Sequence, residues 1–252
     1  MKEIFDLKRK LSKKVPRLRK GYITTKNYVK YPSRLIADIK AYKRKPAARL
    51  KNIIYYPPNF IYRDDLNSKS IVVDVGCGYL ADFSVHLINK YNLKSFAIDP
   101  TLKHQKYLEA IAKKSNGKFT YLKAAVSNNK GKITFYENPS FESGSINSDH
   151  KNILLKNAIK YEVDSIILKD LPAKIEVDKV DLLKLDIEGA EYDVLLNCTE
   201  KDLLSFNQLF IEFHHVSVKK YSFKDTQHVL DHLSSMGFNY FSLDDINFLF
   251  YR

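Results

Sequence analysis

The sequence predicts an α/β fold organised around a mostly parallel β-sheet, and three observations carry that reading. Apolar, strand-like runs alternate with helix-like runs from about residue 70 to the carboxyl terminus. Such alternation favours parallel strands joined by helical crossovers. Between the first of these strands and the first helix lies a turn containing Gly76 and Gly78, and the next strand closes on Asp99, 21 residues after Gly78.

Candidate strands fall at 71–75, 94–98, 119–124, 132–136, 181–186, 208–213 and 247–251, with helical patterns at 82–91, 102–115, 190–197 and 223–236. In "SIVVDVGCGYLA", Ile71, Val72 and Val73 form a β-branched run that Gly76 and Gly78 break. "DFSVHLINKY" follows, with Phe83, Val85, Leu87 and Ile88 at helical spacing. A Gly-x-Gly turn between strand and helix lets backbone approach a ligand closely, and Ala81 fills the third small position of that pattern. An acidic residue placed as Asp99 is can hold the hydroxyl pair of a ribose. "YYPPNF" at 55–60 precedes the first core strand and reads as a bend.

Charge narrows the choice of ligand. Asp74 stands two residues before Gly76. A carboxylate there is the wrong sign for a dinucleotide's pyrophosphate. S-adenosylmethionine carries an ammonium and a sulfonium and no phosphate, and it suits Asp74. Cys77, in the same turn, reads as a small filler rather than a nucleophile.

The segments "VVDVGCG", "AIDP", "AAVSNNKGKITFY", "LLKLDIEGAEYDVL" and "LFIEFHH" resemble the successive motifs of FkbM-type S-adenosylmethionine-dependent methyltransferases, over about residues 70–215. "KLDIEGAE" is the most specific of them; the first two are common to most Rossmann-like methyltransferases. The resemblance implies a Rossmann-like class I methyltransferase fold, with a seven-stranded, mostly parallel sheet and helices on both faces. It also implies an O-methyltransferase, because such enzymes mostly methylate natural products and sugars. Adenine would lie at Ala124 to Ser127, which names Ala125 and Val126 beside Asp74, Gly76, Gly78 and Asp99 as cofactor contacts.

"VDLLKLDIEGAEYDVL" ends a buried strand in charge: Lys184, Asp186, Glu188 and Glu191. Burying an unpaired charge costs several kcal/mol, so these residues pair or line a site. In the expected sheet, Asp186 ends a central strand beside the one carrying Asp74. The next strand ends in Glu212 and His214, two residues apart and so on one face. Methyl transfer needs an aligned nucleophile, and a hydroxyl nucleophile also needs a base. Asp186 and His214 are the expected catalytic residues, with Glu188 next, and Lys184 neutralises part of the charge. Glu191 complements the positive end of the following helix. His215, on the other face, is structural. Asp186, Glu212 and His214 could hold a divalent ion, but no short metal-ligand motif is present and no metal is assigned.

The chain has 252 residues, 44% of them hydrophobic, which suits one domain with an extension. Only 8 Gly and 8 Pro argue against long disordered linkers. Two cysteines make no disulfide framework, and a reduced, cytoplasmic setting is expected. No secretion signal or membrane span is expected either. Charge is uneven: residues 1–51 hold 18 Lys/Arg against Glu3, Asp6 and Asp38, a net of +15, while the remainder holds 24 basic and 26 acidic residues. The reading is therefore a basic helical extension over 1–51 and an S-adenosylmethionine-dependent methyltransferase domain over 52–252.

In the extension, Ile4, Leu7 and Leu11 fall at helical spacing among Lys8, Arg9, Lys10, Lys13 and Lys14 before Pro16, and a second helical stretch starts near Ser33. Such an arm can lie on the anionic inner face of a membrane, grip nucleic-acid phosphates, or pack on its own domain. The expected acceptor is a small molecule or a glycan, such as a sugar of a surface polysaccharide or its precursor. The polar insert "ENPSFESGSINSDHKNILLKNAIKYEVDS" is suited to a hydroxyl-rich ligand. The rival readings are an RNA methyltransferase and a non-catalytic membrane-docking protein. "LDIEG", in place of an Asn/Asp-Pro-Pro-aromatic motif, disfavours nucleic acid.

Overall fold

The computed structural model describes residues 52–56 and 59–252. The expected extension, with its membrane and nucleic-acid readings, lies outside them. The chain divides into two compact units, and the larger spans 51–242 and 246–252. Among the described residues no helix is long and apolar enough to cross a membrane.

The elements of the larger unit run in this order: β1 (Ile53–Tyr56), β2 (Phe60–Arg63), β3 (Ile71–Val75), α1 (Asp82–Tyr91), β4 (Lys94–Ile98), α2 (Leu102–Lys114), β5 (Phe119–Leu122), β6 (Ala125–Ser127), β7 (Gly131–Glu137), β8 (Gly144–Ser145), β9 (Ile159–Ile167), α3 (Leu171–Lys174), β10 (Val180–Leu185), α4 (Glu191–Leu196), β11 (Phe206–Glu212), α5 (Phe223–Ser235), β12 (Asn239–Ser242) and β13 (Asn247–Tyr251). The main sheet has seven strands in the order β12-β13-β11-β10-β3-β4-β5. Its central pairs are parallel, and β13 runs antiparallel to both of its neighbours.

Alternation along the strands explains the two helical layers. Val73, Val75, Leu183, Leu185, Leu209 and Ile211 face one side, against Tyr192, Val194 and Leu195 of α4 and Val229, Leu230 and Leu233 of α5. Val72, Leu182 and Phe210 face the other, against Phe83 and Leu87 of α1 and the β1–β2 hairpin. Each fully buried aliphatic or aromatic side chain contributes about 1.5–3 kcal/mol relative to exposure.

Two expectations are corrected. Residues 132–136 form a strand, but β7 lies in a separate four-stranded sheet, ordered β6-β9-β7-β8. The seventh strand of the main sheet is β12, whose "NYFS" is short and half exposed and so gives little pattern. The polar insert also ends in β9, paired antiparallel with β7 from Ile159 to Ser165. Tyr161 and Val163 alternate inward there and pack on Phe135. Of "YYPPNF", Tyr55 and Tyr56 end β1 and Phe60 begins β2, with Tyr56 opposite Phe60, while residues 57–58, where the bend is expected, lie outside the described residues.

Candidate functional site

Parallel strands leave a crevice beyond their carboxyl ends. A cavity of about 290 Å³ occupies it here, lined by Gly76, Gly78, Asp99, His104, Ala125, Val126, Asp186 and Glu188 among others. The small sheet adds Phe135 and Gly144 to the lining, and Ser143 joins them from just before β8.

The glycine turn locks against the end of β10. Gly76 has φ +73°, and a Cβ there would stand 1.7 Å from the carbonyl oxygen of Asp186. Gly78, at φ +67°, faces Glu142 across more open space. The Gly78 N–H donates to Asp99 Oδ2 at 3.0 Å, and the Thr101 N–H donates to Asp99 Oδ1 at 2.9 Å. His104 Nδ1 lies 3.3 Å from Asp99 Oδ2. Burial opposes the charge on Asp99, but these bonds, led by His104, outweigh it and hold the carboxyl below its usual range.

Asp74 is the sequence-expected contact that does not reach the cavity. It is fully buried, accepting from Ser84 Oγ at 2.8 Å and sitting 3.3 Å from Lys184 Nζ. Lys184 joins the two strand ends. Its ammonium donates to the Gly76 carbonyl at 2.7 Å and lies 3.1 Å from Asp186 Oδ2. Burial lowers its affinity for a proton, yet Asp186 and Asp74 outweigh burial and push its pKa up. Cys77 is buried and its thiol is pushed well up by desolvation, as a packing residue would be.

The turn after β10 gathers the other charges. Glu188 has φ +53° and Gly189 φ +100°. Glu191, fully buried, folds back on that turn: Oε1 accepts from the Ile187 N–H at 2.8 Å and Oε2 from the Gly189 N–H at 2.9 Å. Glu191 Oε1 also lies 2.9 Å from His214 Nδ1. The other ring nitrogen of His214 lies 3.3 Å from Glu188 Oε2 and 3.6 Å from Asp186 Oδ1. Burial disfavours an imidazolium, but Glu191 and Glu188, with Asp186, outweigh it and raise the His214 pKa well above its ordinary value.

Glu188 is held by several partners while it lines the cavity. Burial opposes its charge, but His214, His150 and Ser143 lower its pKa to about 2. His150 Nε2 is 2.9 Å from Glu188 Oε2. Asp186 behaves differently. Burial raises its pKa, and Lys184 and His214 offset only part of that. It sits deep in the fold, yet 24% of its side chain is reached through the cavity.

The structure thus brings Asp186 and Glu188 to the cavity and sets His214 behind them, both ring nitrogens facing carboxylates. His214, expected as a base, does not line the cavity, and its raised proton affinity favours an imidazolium paired with these carboxylates. Glu212 turns away to Asn59, whose Nδ2 donates to it at 2.7 Å, and burial with Asp186 lifts its pKa to about 7. The possible metal set changes accordingly. Among the described residues, Asp186, Glu191 and His214, rather than a set with Glu212, lie close enough to share an ion. His215 bonds Thr226 and meets Phe223 edge to face, as a structural residue would. Sequence reasoning gave Glu191 only a helix-end role and missed His104 and His150 altogether. Glu191 stood inside the most specific motif, whereas His150 belongs to an insert with no periodic signal.

The cavity fits S-adenosylmethionine. Asp99, Glu142, Asp186 and Glu188 line it, and among the described residues no Lys or Arg does. That charge suits a sulfonium and an ammonium and repels a pyrophosphate. At the Asp99 end, His104 Nε2 is a buried nitrogen with no hydrogen-bond partner among the described residues.

Comparison with known proteins agrees. No curated protein matches the chain in sequence. Among solved structures, the Methanococcus jannaschii fibrillarin pre-rRNA processing protein is 12% identical, with 79% of this chain and 69% of that one covered at a TM-score of 0.45. A Pyrococcus furiosus methyltransferase is 11% identical over 87% and 96% of the two chains, at 0.41. Aeropyrum pernix fibrillarin with natively bound S-adenosyl-L-methionine is 8% identical over 73% and 66%, at 0.40. The methyltransferase FkbM domain matches residues 79–240, more than half of the chain. The chain therefore belongs to the FkbM methyltransferase family and is an S-adenosylmethionine-dependent methyltransferase.

Proposed function

We propose that the enzyme methylates a hydroxyl oxygen of a polar, hydroxyl-rich small molecule or glycan, such as a sugar of a surface polysaccharide or its precursor. One observation carries this reading. At the carboxyl end of β10, Asp186 is the carboxylate that both reaches the cavity and holds its proton more tightly than a free aspartate. S-adenosylmethionine supplies an electrophilic methyl group on a sulfonium. Asp186 takes the proton of the acceptor hydroxyl as its oxygen becomes a nucleophile, which a positioned base accelerates by about 10²–10⁴-fold. Lys184 fixes the carboxylate from below. Glu188, already ionised and braced by His214 and His150, orients rather than accepts protons. Glu191 and His214 hold the turn that presents both.

The wall facing Asp186 supports a hydroxyl-bearing acceptor. Ser143 lines the cavity, and its Oγ accepts from Asn152 Nδ2 at 3.0 Å, so its own proton is directed elsewhere, towards Glu188 or an acceptor oxygen. The basic segment 1–51 would bring an anionic or membrane-borne acceptor to a cytoplasmic enzyme. The test is to incubate the enzyme with methyl-labelled cofactor and a panel of sugars, nucleotide sugars, lipid-linked glycans and RNA. Labelled methyl ethers on a sugar are expected. Label on a base nitrogen of RNA would replace this reading.

A further inference from the structure

Asp99 is less free to hold a ribose than its place in the sequence suggests. A carboxylate offers about four lone-pair sites. Oδ2 already receives the Gly78 N–H at 3.0 Å and faces His104 Nδ1 at 3.3 Å, and Oδ1 receives the Thr101 N–H at 2.9 Å. One site on Oδ1 remains. A ribose cis-diol brings two O–H donors, so a second acceptor is needed.

We infer that His104 is that acceptor, and that Asp99 and His104 divide the two ribose hydroxyls of the cofactor between them. The ionised carboxylate can only accept, so Nδ1 of His104 must carry the hydrogen that faces it. In the neutral ring the lone pair then sits on Nε2. His104 is 4% exposed and lines the cavity beside Asp99, and its Nε2 has no hydrogen-bond partner among the described residues. Buried polar atoms in folded proteins are nearly all paired. An orphaned acceptor on a side chain that lines a ligand cavity is accounted for by a ligand donor. Tyr79 flanks the ring, with centroids 5.9 Å apart, and α2 carries it one turn after the Asp99 loop. The arrangement makes the pocket selective for a ribonucleoside. Removing one hydroxyl leaves either Asp99 Oδ1 or His104 Nε2 without its donor.

This inference rests on the cofactor site, and the test separates the two. His104→Asn keeps an amide N–H where Nδ1 stands and deletes the outward acceptor. Calorimetry with S-adenosylhomocysteine should show about tenfold weaker binding in H104N than in the natural protein. The measurement is repeated with the 2′-deoxy and 3′-deoxy forms of the ligand. For one of them the difference between the natural protein and H104N should vanish, and for the other it should persist. An equal penalty for all three ligands would make His104 a purely structural partner of Asp99 and overturn the inference. So would no penalty at all. Failure of the natural protein to bind S-adenosylhomocysteine would instead overturn the site.

Discussion

Glu191 Oε1 and His214 Nδ1 lie 2.9 Å apart, and that contact ties the turn after β10 to the segment after β11. Glu191 meets donors alone: two backbone N–H groups and the ring. Glu191→Gln puts an amide N–H among them. Leaving buried donors unpaired costs about 1–3 kcal/mol. A fall of several degrees in Tm is expected by scanning calorimetry, with a loss of turnover, because Glu188 and Asp186 lose their frame. An unchanged Tm would mean that the turn is held by packing alone.

Asp186→Asn should lower turnover at least about 10²-fold while leaving affinity for S-adenosylhomocysteine nearly unchanged. The two are read by single-turnover kinetics and calorimetry. Near-natural turnover would move proton acceptance to another group.

The same residue sets the expected pH dependence. Its folded pKa lies above the ordinary value, so the folded state holds this proton more tightly than the unfolded chain does. Stability from this group is full below the ordinary aspartate pKa and is lost as pH rises through the raised one. Activity runs the other way, because the base works only once ionised. The acid limb of kcat against pH should therefore lie above the range of a free aspartate. A limb at pH 4 or below would contradict the role.

Glu188 titrates in the opposite sense. Its pKa of about 2 means that the stability it contributes is present above its unfolded value and lost as pH falls towards 2. Acid unfolding of Glu188→Gln, followed by circular dichroism, should be less steep between about pH 4.5 and 2 than that of the natural protein.

Gly76→Ala should fail at the level of the fold. The added methyl would meet the Asp186 carbonyl at 1.7 Å in a backbone conformation with φ +73°. The expected cost is at least about 3 kcal/mol, seen as a lowered urea midpoint. Normal stability and cofactor affinity would show that the two strand ends can separate.

The sequence by itself determined the alternation that makes a parallel sheet, the glycine turn, Asp99 at the end of β4, and the cluster of charge after β10. These are local: they follow from side-chain period and from glycine's freedom at positive φ. It could not assign strand 131–137 to its sheet, because pairing partners are chosen by long-range hydrogen bonding and not by the strand's own pattern. Nor could it aim the side chains. Asp74 precedes Val75, which lines the cavity, and strand alternation turns Asp74 to the opposite face, towards Ser84 and Lys184. Two-residue spacing put Glu212 and His214 together, but β11 ends at Glu212, so the strand period no longer governs His214. Glu191 then captures its ring, while Asn59 takes Glu212. His150 reaches Glu188 from the insert, 38 residues earlier. Which charges face a ligand and which neutralise one another was settled by these tertiary contacts, because a buried charge takes the partner that packing brings to it.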